Sequence, residues 1–152
     1  MGLECLSRGA SSAVFFEYDR RAFAILEGNV SAMGVGEQGF CWRVDVVRTS
    51  FRPKGVGEVF PYSMVFFDPP YKLASDLAPG KSLARSLDRV ARDSVTLPNA
   101  TLVLRTPREL PLELAPSWEE FEQLNISSSR ISFCRKRIEE PDVKLQKENE
   151  VD

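Results

Sequence analysis

Residues 62–72 read YSMVFFDPPYK, an apolar run (Met64, Val65, Phe66, Phe67) closed by an acid, two prolines and an aromatic. A continuous apolar run of this length reads as a strand buried on both faces of a parallel sheet. Its carboxyl end then delivers a carboxylate (Asp68), a turn stiffened by Pro69 and Pro70, and a ring (Tyr71). Taken alone, the stretch is read equally well as a strand ending in a proline turn with an exposed acid. A second acid, Glu17, lies near the end of another apolar run, SAVFFEY over 12–18. Ligands of open α/β sheets gather outside the carboxyl ends of the strands, so two strand-end acids are a first sign of a site.

The rest of the composition removes whole classes of chemistry. The chain has 152 residues and no histidine, which excludes a Ser-His-Asp triad, a Cys-His dyad and any histidine base. Cys5, Cys41 and Cys134 are odd in number and widely separated, without zinc-type spacing, so neither a metal site nor a disulfide framework is expected. A reducing cytoplasm is the simplest setting. No apolar run is long enough to span a membrane, and the N-terminus lacks the pattern of a secretory signal. The net charge of −2 argues against a strongly cationic nucleic-acid coat and leaves room for a local basic patch.

The elements that would position these residues follow from periodicity and punctuation. GLECLSRGA (2–10) reads as a helix closing on Gly9, a plausible C-cap. The strand over 12–18 comes next, then a helix capped by Asp19, with Ala22, Leu26 and Val30 recurring every four residues. Gly34, Gly36 and Gly39 mark a loop, and CWRVDVVR (41–48) is a strand candidate. Residues 52–61, with Pro53, Gly55, Gly57 and Pro61, read as a loop leading to the run at 64–67. Beyond Pro79-Gly80, Ser82 is the expected cap of a helix whose Leu83, Leu87, Val90 and Ala91 face one way.

ATLVLR (100–105) is a further apolar strand. A proline-rich connection (Pro107, Pro111, Pro116) leads through SWEEFEQL to RISFCRK (130–136), an alternating last strand. Strands alternating with amphipathic helices define an α/β domain with a mostly parallel sheet. It is expected over 1–138, with 139–152 as a disordered charged tail. Two basic groups, Arg85, Arg89 and Arg92, and Arg130, Arg135, Lys136 and Arg137, suit phosphates or a solvated surface alike. Trp42 and Trp118 read as packing residues.

GLECLSRGA, then AVFFEYD, then MVFFDPPY, in that order over roughly residues 2–136, resembles the bacterial family of small-subunit (16S) rRNA guanine-N2 methyltransferases. The Asp-Pro-Pro-Tyr tetrapeptide is shared with amino-methyltransferases acting on adenine, cytosine and glutamine, so it marks the reaction more than the substrate. The resemblance implies a Rossmann-like fold that uses S-adenosylmethionine, its last strand antiparallel, and rRNA as partner, with no metal. It also implies roles. An exocyclic amine is a poor nucleophile because its lone pair is delocalised into the ring. The Asp68 carboxylate and, by implication, the Pro69 carbonyl would hold its N–H groups and localise that pair. Pro70 extends Pro69, and Tyr71 offers a ring for an unstacked base. Glu17 matches the acid that accepts from both ribose hydroxyls of the cofactor.

The match also has gaps. In the family a strand and a glycine-rich turn precede the GLE helix; here the chain starts at Met1, so it is expected to be N-terminally truncated, with the first, central strand and the glycine loop missing. Where the family carries a short polar residue against adenine, this chain has Val47-Arg48, with Asp45 nearby. Two other readings stand beside the leading one. The target could be an adenine amine in DNA or RNA, or the chain could be a non-catalytic remnant or protein-binding module.

Overall fold

The computed structural model describes residues 1–56 and 59–138; Gly57 of the expected loop and the charged stretch 139–152 lie outside the described residues. The elements run α1 (Gly2–Ser7), β1 (Ala13–Glu17), α2 (Arg20–Ala32), β2 (Gly39–Arg43), β3 (Tyr62–Phe67), a short 3-10 helix (Tyr71–Leu77), α3 (Ser82–Val90), β4 (Thr96–Pro107), β5 (Trp118–Ile126) and β6 (Ser129–Lys136). β1 and β2 form a parallel pair. The other four strands are ordered β3-β4-β6-β5; β3 and β4 are parallel, and β6 runs antiparallel to both β4 and β5.

Local signals act where the sequence places them. Arg8 ends α1 and Gly9 follows with φ +98°, a left-handed residue that lets the chain turn back into β1. Asp19 Oδ1 accepts from the N–H groups of Arg21 and Ala22, both at 2.9 Å, and so satisfies two donors that the first turn of α2 leaves free. On α2 only Val30 is buried, whereas Ala22 is exposed. The stripe on α3 is complete: Leu83, Leu87 and Val90 are buried, and Ala91 just beyond it as well.

Three expected details are corrected. The strand expected over 41–48 instead covers Gly39–Arg43. The chain turns at Asp45, whose Oδ1 accepts from Val47 N–H at 2.9 Å while its carbonyl accepts from Arg48 N–H at 2.9 Å, a local alternative to extended pairing. Ser82 does not cap α3: Lys81 holds the cap position without a side-chain bond, and the Ser82 hydroxyl donates to Asp76 at 3.1 Å. SWEEFEQL, left without an element, is most of β5. Its acids Glu119, Glu120 and Glu122 are exposed on an edge strand, where charge blunts further pairing.

The core lies between α3 and the four-stranded sheet, formed by Phe67, Leu77, Leu83, Leu87, Val90, Val95, Leu102, Leu104, Trp118 and Cys134. Trp118 is 2% exposed and its indole N–H donates to the Leu87 carbonyl at 3.1 Å, which fastens the start of β5 to α3. The β1–β2 pair joins this core through Phe16, edge-to-face with Phe51 at 5.4 Å and tilted against Trp42 at 5.7 Å. Among the described residues no ladder links β1 to β3, so each has one paired edge. Every residue of β1 is only half-buried, and Met64 of β3 is 50% exposed.

Candidate active site

β3 and β4 are parallel and in register from Met64 to Phe67, with Phe67 opposite Leu104. The next residue on each strand is charged, Asp68 on one and Arg105 on the other, so the pairing sets an acid beside a guanidinium at the carboxyl end of the sheet. An Arg105 Nη1 donates to Asp68 Oδ2 at 3.2 Å. Both side chains stay open to solvent, 43% for Arg105 and 37% for Asp68.

The two prolines split their burial. Pro69 is buried, which fixes the turn to the core, and Pro70 is exposed with φ −53° and ψ 138°. The Pro70 carbonyl accepts from Leu73 N–H at 2.8 Å and so starts the 3-10 helix that carries Tyr71. Tyr71 is 39% exposed and returns over the strand ends. The Arg105 guanidinium lies 5.5 Å from its ring centroid, within range of a cation–π contact. The Tyr71 hydroxyl is hydrogen-bonded to the Ser129 hydroxyl. That bond, together with hydrogen bonding to and the charge of Arg105, holds the Tyr71 phenol below its ordinary pKa. Arg105 is raised in turn, by its hydrogen bond to Tyr71 and by the Asp68 carboxylate.

Asp68, Tyr71, Arg105 and Ser129 thus form one cluster drawn from β3, the helix behind it, β4 and β6. Arg105 and Ser129 were not expected. Arg105 had a legible signal: like Asp68, it is the first charged residue after an apolar run. Ser129 had none, because its place depends on β6 pairing Ser129 with Pro107.

Glu17 ends β1, in the two-stranded sheet. It is half-buried, its Oε1 accepts from Asp19 N–H at 2.7 Å, and its backbone carbonyl accepts from Val44 N–H at 3.1 Å. The carboxylate is thereby oriented by the turn into α2. No hydrogen bond or ion pair ties it to the Asp68 cluster among the described residues. Arg48, at the position the resemblance reserves for an adenine contact, points outward with an 87% exposed side chain 3.9 Å from Asp45.

Several cations of the two basic groups are committed inside the fold. Arg89 donates to the carbonyls of Thr49 (3.1 Å), Val46 (3.1 Å) and Val47 (2.6 Å), clamping the connection after β2 onto α3. Lys136 is 6% exposed and donates to Asp93 at 2.6 Å and to the Thr96 carbonyl at 2.9 Å. Arg130 donates to the carbonyls of Leu110 and Arg108.

Solved structures place this architecture in a class. The chain superposes on a provisionally assigned methylase from Haemophilus influenzae with a TM-score of 0.68 at 20% identity, covering 89% of this chain and 78% of the other. An RNA methyltransferase from Salinibacter ruber, in complex with S-adenosyl-L-homocysteine, superposes at 0.54 with 12% identity over 86% and 69% of the two chains. The rRNA methyltransferase aviRa from Streptomyces viridochromogenes gives 0.55 with 15% identity over 86% and 68%. The fold is that of the α/β methyltransferases. No curated protein sequence matches the chain. The family model described as "Conserved hypothetical protein 95" matches residues 1–135, and the chain belongs to that family, the one its motifs resemble. Among the described residues no helix is long and apolar enough to cross a membrane.

Proposed function

We propose that this chain is built to methylate the exocyclic amine of a guanine in small-subunit rRNA, with S-adenosylmethionine as the methyl donor. The observation that carries the reading is that the Asp68 carboxylate and the Tyr71 ring both meet Arg105 at the carboxyl end of β3 in a methyltransferase fold. A carboxylate and a ring there can receive one planar base that bears an amine. The rRNA methyltransferase among the structural relatives supports the substrate class, and the family motifs support guanine.

The residues fit the donor at its ribose end. Glu17 keeps Oε2 beyond the bond that orients Oε1, and a half-buried carboxylate at a strand end is the acceptor that a pair of ribose hydroxyls needs. S-adenosylmethionine, when bound, supplies an electrophilic methyl group. The chain's own work is at the amine. Asp68 and the Pro69 carbonyl accept its two N–H groups, turn its lone pair out of conjugation and stabilise the positive charge that develops on nitrogen. The buried Pro69 keeps the second acceptor from drifting. Tyr71 stacks the base.

Replacing Asp68 with Ala tests this. Transfer of labelled methyl to rRNA should be abolished while calorimetric binding of S-adenosylmethionine stays within about twofold, since no hydrogen bond or ion pair among the described residues ties Asp68 to Glu17. Normal turnover in the variant would overturn the assignment.

One observation favours a second reading. Among the described residues β1 and β3 each keep an unpaired edge, a template for strand addition, which suits a protein-binding module. A folded chain that binds no S-adenosylmethionine, and whose free-edge amides gain exchange protection when a partner is added, would select it.

A further inference from the structure

The acceptor that should receive an amine already holds a cation. Arg105 bonds Asp68 at 3.2 Å, and its guanidinium lies over one face of the Tyr71 ring, 5.5 Å from the centroid. A base stacked on that face and bonded to that carboxylate needs the same space. The electrostatics conflict as well, because a guanidinium on Asp68 weakens it as an acceptor and opposes positive charge developing on the amine. Arg105 and a reacting base therefore exclude one another.

The bond holding Arg105 is easily exchanged. Both partners are more than a third exposed, and an exposed ion pair of this kind is weak and screened by salt. A phosphodiester is the ligand best matched to a released guanidinium, since it offers two oxygens to the planar fork and displaces counterions when neutralised. Of the other cations, Arg89, Arg130 and Lys136 are already bonded to backbone carbonyls. Among the described residues, Arg105 is the cation in direct contact with both Asp68 and Tyr71.

We propose that Arg105 is a displaceable latch, which fills the place of the target base between Asp68 and Tyr71 in the free protein and passes to a backbone phosphate when RNA binds. This rests on the reading of Asp68 and Tyr71 as the amine and base site. Arg105 acts through them as a positioning residue. Its release couples RNA binding to exposure of the acceptor, so a free nucleoside, which brings no backbone phosphate, opens the site poorly.

Binding alone tests the latch, with no methyl transfer required. A fluorescein-labelled single-stranded RNA of about 12 nucleotides with one guanosine, within the usual span of such sites, is titrated by anisotropy over a series of KCl concentrations. Wild type, Asp68→Asn, Arg105→Gln and the double variant are compared, each checked for an unchanged melting transition. Arg105→Gln should flatten the slope of log affinity against log salt by about 0.7, the loss of one phosphate contact on a single strand. Asp68→Asn, which frees Arg105, should tighten binding about two- to fivefold, and that gain should vanish in the Arg105→Gln background. An unchanged slope, a gain from Asp68→Asn that persists without Arg105, or no RNA binding by the wild type would each overturn the latch. Methyl transfer measured on Asp68→Ala judges the acceptor separately, so either reading can fail alone.

Discussion

Asp68 and Arg105, 37 positions apart, meet at 3.2 Å because the residues just before them, Phe67 and Leu104, are register partners in a parallel pair. Both preceding side chains are buried, at 7% and 0% exposure, so the ladder that aligns the charged pair is anchored in the core. The site is thereby set by strand register more than by the turn that follows.

Tyr71 is expected to act through its ring. Tyr71→Phe loses the hydroxyl bond to Ser129 but keeps the stacking surface, and RNA affinity should stay within about twofold. Tyr71→Ala removes the platform and should weaken binding by about 1–3 kcal/mol, the usual worth of one base–aromatic stack. Anisotropy titration of the two variants side by side separates ring from hydroxyl.

Arg89 is expected to hold the connection after β2. Arg89→Lys keeps the charge but cannot reach the carbonyls of Val46, Val47 and Thr49 with one planar fork. Hydrogen exchange of the amides over 44–51 should speed up, while protection in β4 and β6 stays near wild type. Uniform loss of protection would mean that Arg89 supports the whole core.

Trp118 should be costly to remove. It is 2% exposed, packs in the core with Leu87 and donates its indole N–H to that residue's carbonyl. Trp118→Ala should lower unfolding free energy by about 3–5 kcal/mol, read from the shift of a urea midpoint at constant slope. Trp118→Phe keeps most of the volume and loses only the indole bond, since the Leu87 carbonyl still accepts from Ala91 N–H at 3.1 Å, for a smaller loss of about 0.5–1.5 kcal/mol.

Stability should fall in alkali. Burial pushes the Tyr62 phenol up to about 12, and its hydroxyl donates to the Phe51 carbonyl at 3.0 Å. The fold therefore favours the neutral phenol. Its contribution is complete below the unfolded value of about 10 and is lost as pH rises through about 12. Burial raises the Cys134 thiol to about 12 in the same direction, and the charge of Glu120 adds to it. Burial and the charge of Glu27 raise the Cys41 thiol as well, so urea midpoints across this range should drop less steeply in Tyr62→Phe, which retains the thiol shares.

Most local structure was legible from residue order. The apolar runs gave β1, β3 and β4, and alternation gave β6. Asp19 and Gly9 punctuated α2 and α1, and the period of α3 named its buried face. The errors came where side chains bond their own backbone or where burial falls on one residue. Asp45 turned a strand candidate aside, and β5 hid behind three acids because only Trp118 is buried.

Sequence by itself determined the elements, the class of fold and the tetrapeptide at the end of β3, since periodicity and fixed φ angles are properties of neighbouring residues. Tertiary structure decided the company that tetrapeptide keeps. Ser129 reaches Tyr71 across 58 positions, and Arg105 reaches Asp68, only because β3, β4 and β6 settle into one register. That register includes an irregularity between Tyr62 and Met64, opposite a stretch of β4 in which Asn99 is left-handed at φ 61°. Such a shift belongs to the pairing of two strands far apart in sequence, which no local pattern contains.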